Sequence, residues 1–241
     1  MQANVFLQAW KFLNMRSDFV LSTLLSHIKL VFYASLLAVA VGVPIGILIY
    51  NKKRVKDAVL GLVGVLYTIP VIAMFGILIP LMGIGTRPAL LALVIYGILP
   101  IIRNTAVGLM QVSPAVKEAA VGMGANRLQV LLRAELPLAL PVIFAGIRTS
   151  VVMNFSMATY AVFIGGGGMG SIIMQGMRTY NTGMLLGSTI LVALATVILD
   201  RLLGVAEKGI GERFALTPVK RKKVKTWYTA RGKTAGTKKA A

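Results

Sequence analysis

Few side chains in this 241-residue chain can make or break a covalent bond. It has one histidine, His27, no cysteine, and only seven carboxylates set against 26 Lys and Arg. Without cysteine, thiolate metal sites, thiol nucleophiles and disulfides are all excluded. Gly165 to Gly170 contain a formal GxGxxG. It follows an apolar helix rather than a strand, and no Gly-Lys-Ser/Thr step is present to hold a nucleotide phosphate. The sequence therefore offers no catalytic, cofactor-binding or metal-ligating set, which disfavours a membrane enzyme. What stands out instead is charge in apolar surroundings. Arg103, Arg148 and Asp200 lie in or beside long apolar runs, where a charge requires a partner or water. Arg103 and Asp200 fall toward the inner third of their spans and form a candidate intramembrane ion pair, with Arg201 as a competing partner for Asp200. Arg148, about 18 Å of helix beyond Leu136, is a candidate for a pathway or gate, with structural pairing or snorkelling as the alternative. Asn154 joins it as a candidate, or else bonds a neighbouring helix. Gly165, Gly166, Gly167 and Gly168 form a candidate outer hinge or gate, leading to a short re-entrant segment around Met169 to Met177; a plain flexible loop is the competing reading.

The elements that position these groups are membrane spans. The chain is 57% hydrophobic and 14% charged, with a mean hydropathy of +0.81, too apolar for an ordinary soluble domain. Apolar runs at Leu30 to Tyr50, Ala58 to Thr86, Pro88 to Val112, Leu136 to Phe163 and Thr179 to Leu199 each reach the roughly 20 helical residues that cross a bilayer. They lack the alternation of a membrane β-barrel, so the expectation is an all-α polytopic membrane protein of about five transmembrane helices. Prolines at 44, 70, 80, 100 and 141 kink or end these helices. Three regions follow: an outer segment 1–29 with Trp10 and Phe12 at the lipid interface, a transmembrane helical domain 30–207, and a basic tail 208–241. No cleavable signal peptide is expected, because the first apolar run is too long for a signal core.

Charge sets the orientation. With the N-terminus outside, inner segments 51–57, 111–135 and 201–241 hold 19 Lys and Arg against 4 on the outer side, which places the C-terminus in the cytoplasm. Residues 208–241 carry 11 Lys and Arg against Glu212 and are expected to be disordered and to lie against anionic lipid headgroups. Trp227 and Tyr228 are too few aromatics for a nucleic-acid stacking platform, so no nucleic-acid partner is expected.

The longest inner loop, 113–137, is polar and helix-forming, and reads as a docking element. Ser113-Pro114 marks a helix start, and the helix should run through Glu118-Ala119-Ala120 to Gly122 and Gly124. Asn126 with Gln129 has capping-box spacing and starts a second helix. Ala119, Ala120 and Gly124 would then offer a small-residue patch for close approach, with Glu118 as an acceptor or ion-pair partner. A well-capped connection with a solvated Glu118 is the bland alternative.

The pattern Glu118-Ala119-Ala120, Gly124, Leu136-Pro137 resembles the EAA loop of the membrane subunits of ATP-binding-cassette importers, apart from Ala134, where that family usually has a β-branched aliphatic residue. The runs at 67–105 and 136–152, with FIGGGGMG at 163–170, look like the permease subunits of osmoprotectant importers for glycine betaine, carnitine or choline. This resemblance implies a type I importer permease fold in a bacterial plasma membrane and no hydrolysis by this chain. It also implies ATP use by cytoplasmic ATPase subunits that grip Glu118 to Pro137, a second permease copy or paralogue, and an outer substrate-binding protein. An amino-acid importer permease is the alternative within that class. An ATP-independent channel or carrier is a further one, but it leaves the loop without a purpose.

Overall fold

The structure, a computed structural model, describes residues 2–214, and every regular element among them is helical. The chain runs α1 (Gln2–Met15), α2 (Ser17–Ile49), α3 (Lys53–Thr68), α4 (Val71–Met82), α5 (Thr86–Met110), α6 (Pro114–Gly122), α7 (Arg127–Val130), a π-helical turn (Leu131–Glu135), α8 (Leu136–Met157), a 3₁₀ stretch (Ala158–Ile164), α9 (Gly170–Arg178) and α10 (Thr182–Phe214). Four stretches are long and apolar enough to cross a membrane: α2, α5, the continuous run Arg127–Ile164, and α10. The expected span over 58–86 is instead a pair, α3 and α4, bent by 96°. The cause is Pro70. Ile69, before it, is forced into extended backbone (φ −67°, ψ 126°), and Pro70 caps the next helix. The Ile69 carbonyl, left without a helical donor, accepts a hydrogen bond from the buried Tyr96 hydroxyl.

The first long helix starts at Ser17, well before the apolar run at Leu30 that marked it in the sequence, so residues 17–29 are helical and continuous with that run in α2. Its polar residue His27 is fully buried. α1 packs along α10, where a Cβ on Gly183 would fall 2.7–2.9 Å from Gln8 atoms. Trp10 is exposed, as expected of an interfacial residue, whereas Phe12 packs on a cluster of Val20, Met169, Ile172 and Met184. α10 continues to Phe214, so residues 208–214 are helical; the rest of the basic tail lies outside the described residues.

The core is the three-helix contact of α2, α5 and α8. A Cβ on Gly46 of α2 would lie 2.5 Å from Thr105 Cβ on α5, and one on Gly146 of α8 would lie 2.5 Å from Asn104 Cβ. Small residues thus let these helices approach closely, the usual basis of helix association where the surroundings are as apolar as the side chains. Above this contact, Phe75, Leu93, Tyr96 and Ile101 fill the largest apolar cluster.

Candidate coupling loop and intramembrane sites

The 113–137 loop is built by local signals. Pro114 occupies the first turn of α6, where its missing N–H is not needed; Ser113 sits at the cap position but makes no side-chain cap bond. α6 ends in a Schellman motif. Gly124 takes φ +85°, the Ala125 N–H bonds the Ala120 carbonyl at 3.1 Å, and the Gly124 N–H bonds the Val121 carbonyl at 2.9 Å. Two residues on, the Asn126 side chain accepts from the Gln129 N–H at 2.9 Å, and the Gln129 side chain accepts from the Asn126 N–H at 2.9 Å. This is the capping box that the spacing forecast. The corner closes its own hydrogen bonds and borrows none from the bundle.

Glu118, Ala119 and Gly124 are exposed, and among the described residues Glu118 makes no hydrogen bond or ion pair. Ala120 departs from expectation. It is buried, turned into the α6–α7 corner, so the small exposed patch consists of Ala119 and Gly124. Val121, Met123, Leu128 and Leu132 add an apolar surface, each more than half exposed. A depression of about 450 Å³ opens between Met123, Gly124, Gln129 and Arg133, with Ala134 in its wall. Leu136 and Pro137 are half-buried at the base of α8.

Beneath the loop lies a carboxylate that sequence reasoning passed over. Glu135, the last residue of the π-helical turn, is 4% exposed. Its Oε1 pairs with Lys117 Nζ on α6 at 2.6 Å, and its Oε2 accepts from the Tyr50 hydroxyl, just past α2, at 2.6 Å. Lys117 Nζ also stands 5.6 Å from the centre of the Tyr50 ring. Burial, and then the bond and charge of Glu135, push the Tyr50 hydroxyl up to about 12.

Arg148 does not stand alone. Its guanidinium donates to both oxygens of Asp200, at 2.7 and 2.9 Å, and to Glu207 Oε2 at 2.7 Å. Asp200, Gly204 and Glu207 share one face of α10. Gly204 leaves the space the guanidinium fills, since a Cβ there would lie 3.2 Å from it. The expected Arg103–Asp200 pair is therefore absent. α10 packs on α8, which carries Arg148, whereas Arg103 is exposed on α5, among whose neighbours are α2 and α8. The clamp borders a groove of about 720 Å³ lined also by Thr149, Val152 and Ser156. Asn154 lies fully buried nearly two turns beyond Arg148, and its amide has no hydrogen-bond partner among the described residues; Ser150 Oγ is in the same state.

The four glycines make a compact turn. Gly165, Gly167 and Gly168 have φ between +73° and +78°, and Gly166 is pressed against Ala161. The expected short segment beyond them is α9. Holding the turn is His27, which the sequence marked only as a lone histidine. Its Nε2 donates to the Phe155 carbonyl at 2.9 Å while Nδ1 accepts the Met169 N–H at 3.3 Å, the pattern of a neutral ring protonated on Nε2.

The fold is an all-helical membrane bundle with a self-capped loop between two of its spans. The chain belongs to the family of binding-protein-dependent transport system inner membrane components, whose model matches residues 38–212. It is 38% identical over 217 residues to the glycine betaine/carnitine/choline transport system permease protein OpuCD of Bacillus subtilis (strain 168), covering 90% of this chain and 92% of that protein. It is 42% identical over 192 residues to the osmoprotectant import permease protein OsmW of Salmonella typhimurium, covering 78% and 89%. Among solved structures, the inward-facing MetNI methionine ABC transporter matches with a TM-score of 0.74 at 19% identity, over 81% of this chain and 97% of that one. An amino acid ABC transporter matches at 0.69 and 19% identity, over 85% and 98%. At such identities these two likenesses speak for the fold alone.

Proposed function

We propose that this chain carries a small quaternary-ammonium osmolyte, such as glycine betaine, carnitine or choline, across a bacterial plasma membrane as the permease of an ATP-driven importer. In this reading cytoplasmic ATPase subunits grip loops 113–137 of two permease copies or paralogues, and an outer binding protein delivers the cargo. ATP is bound and hydrolysed by the ATPase subunits only. The N-terminus is outside and the C-terminus cytoplasmic, the orientation that the placement of Lys and Arg favours.

The observation that carries the proposal is the loop itself. A rigid corner exposes Glu118, Ala119 and Gly124 beside Val121, Met123 and Leu128. An apolar surface with a free carboxylate, held on a connection between spans, suits a protein partner outside the bilayer. The relatives' names support the cargo class. Arg148, about a third exposed along with Asp200 and Glu207, cannot face lipid at that exposure, so its groove faces water or the second permease copy and lines the pathway. Gly165 to Gly168 serve as the outer gate, and Asn154 enters the path when α5 and α8 part.

The test is uptake into liposomes that hold the permease, its ATPase and its binding protein. Labelled choline or glycine betaine should accumulate only with internal ATP and with both partners. Accumulation of an amino acid instead would move the chain to the alternative importer class, and ATP-independent uptake would make it a carrier.

A further inference from the structure

We propose that Lys117, Glu135 and Tyr50 are positioning residues that fasten the coupling loop to α2, and that α2 passes the loop's displacement to the outer glycine turn through His27. This rests on the reading of 113–137 as the surface an ATPase grips.

The loop runs straight into α8 through the π-helical turn, so its movement reaches α8 along the chain, and its link to α2 is made by side chains. Apolar contact with the cluster where α5 ends and α8 begins comes from Val116 of α6 together with Leu131 and Leu136. The polar tie is direct. Glu135 uses its two oxygens on two different elements, Lys117 of α6 and Tyr50 at the end of α2, both at 2.6 Å. A carboxylate 4% exposed is costly to leave half-partnered, so the three groups keep together when any one of them moves. The π-helical turn Leu131–Glu135 aims the carboxylate inward, a local distortion of the kind often retained at working sites.

From Tyr50, α2 runs back without a break to His27, about 35 Å away. There His27 contacts both sides of the glycine turn, the Phe155 carbonyl before it and the Met169 N–H after it, and a Cβ on Gly168 would lie 2.9 Å from Nδ1. One helix thus has its inner end bonded to the loop and its outer part bonded to the gate. A shift of α2 along its axis must strain or release the His27 bonds, because α2 stays one helix across Pro44 while the turn has backbone freedom at three positive-φ glycines.

The experiment uses the assembled transporter in liposomes and two readouts. The first is ATP hydrolysed per molecule of choline taken up. The second is the rate at which a membrane-impermeant thiol reagent labels Phe163→Cys, next to the glycine turn, with and without ATP; the chain has no other cysteine. In the wild-type background ATP should change the labelling rate. Glu135→Gln should remove that change and raise the ATP-to-choline ratio at least about fivefold. Tyr50→Phe should act in the same direction but less. The exchange Lys117→Glu with Glu135→Lys should bring the ratio back to within about twofold of wild type, as expected for coupled partners. An unchanged ratio and ATP response in both Glu135→Gln and Tyr50→Phe would overturn the proposal, as would an exchange variant no better than its single parents. Should the wild-type assembly show no ATP-dependent uptake at all, the permease reading itself fails, which is a different result.

Discussion

The corner at Gly124 and the turn at Gly165 to Gly168 are both helix breaks built on positive-φ glycine, yet only the second is also held from a distance. At Gly124 a Cβ would meet nothing within 4 Å, and the bonds that fix the corner come from residues 120 to 129. The turn at Gly165 to Gly168 also closes a local pair of bonds, Gly165 N–H to the Val162 carbonyl and Gly166 N–H to the Ala161 carbonyl, but in addition Gly168 is buried against His27, more than a hundred residues away in sequence, which bonds the Met169 N–H. A self-contained corner moves as a body when something pulls on it. A turn held from a distance changes when the helix that holds it moves. The arrangement suits a machine driven at the inner end and gated at the outer one.

The sharpest way to break this contrast is at His27. His27→Ala leaves the Phe155 carbonyl and the Met169 N–H without their partner, a loss of about 1–3 kcal/mol for each group. Thermal unfolding in detergent should report the destabilisation, and uptake should fall by far more than ATPase activity. Equal stability and normal uptake would show that the outer turn holds itself.

Gly124→Asp addresses the inner end. The position has room for a side chain, but its φ of +85° disfavours one, and the new charge lies within the exposed grip surface. Insertion into the membrane should be normal, while choline uptake drops about tenfold or more for a coupling loss of roughly 1.4 kcal/mol or more. Wild-type uptake together with wild-type ATPase stimulation would remove Gly124 from the coupling surface.

How far each region could be read in the sequence follows from the same contrast. The Gly124 corner was legible because its signals, Ser113-Pro114, Gly124 and the Asn126–Gln129 spacing, act over a few residues. The clamp of Arg148 was not. Its partners lie 52 and 59 residues away, and which arginine reaches Asp200 depends on α8 rather than α5 packing against α10. Counting depth along each span gave Arg103 equal standing, since depth says nothing about which helices are neighbours. Pro70 was visible as a kink, but neither the 96° bend nor Tyr96, whose hydroxyl bonds the freed Ile69 carbonyl, could be read from its neighbours in sequence. The start of α2 was set too late because Asp18, His27 and Lys29 interrupt the charge-free run, although a histidine bonded on both nitrogens is no obstacle to burial.

A smaller effect is expected from Asn126→Ala, which removes the capping acceptor for the Gln129 N–H and should cost about 1 kcal/mol, seen as a modest loss of uptake without loss of assembly. The least effect should come from pH. With its hydroxyl pushed up to about 12, Tyr50 stays a donor to Glu135 across the neutral range. For a group whose folded-state value is raised, the contribution is complete below the ordinary tyrosine value and is lost only as pH climbs through the raised one. The ratio of ATP to choline should therefore be flat from about pH 6 to 9, and a break within that window would mean that another group governs the loop's fastening.

The most direct test of the account is proximity at the loop. Because the chain lacks cysteine, Met123→Cys, at a residue 83% exposed on the proposed docking surface, carries a unique thiol, and Ile84→Cys, 77% exposed in the turn before α5, provides the control. A short thiol-to-amine cross-linker added to the working assembly should join permease to ATPase through Met123→Cys and not through Ile84→Cys. Absence of an ATPase adduct at Met123→Cys while ATP-dependent choline uptake continues, or an equal adduct at Ile84→Cys, would contradict the claim that this loop is what the ATPase grips.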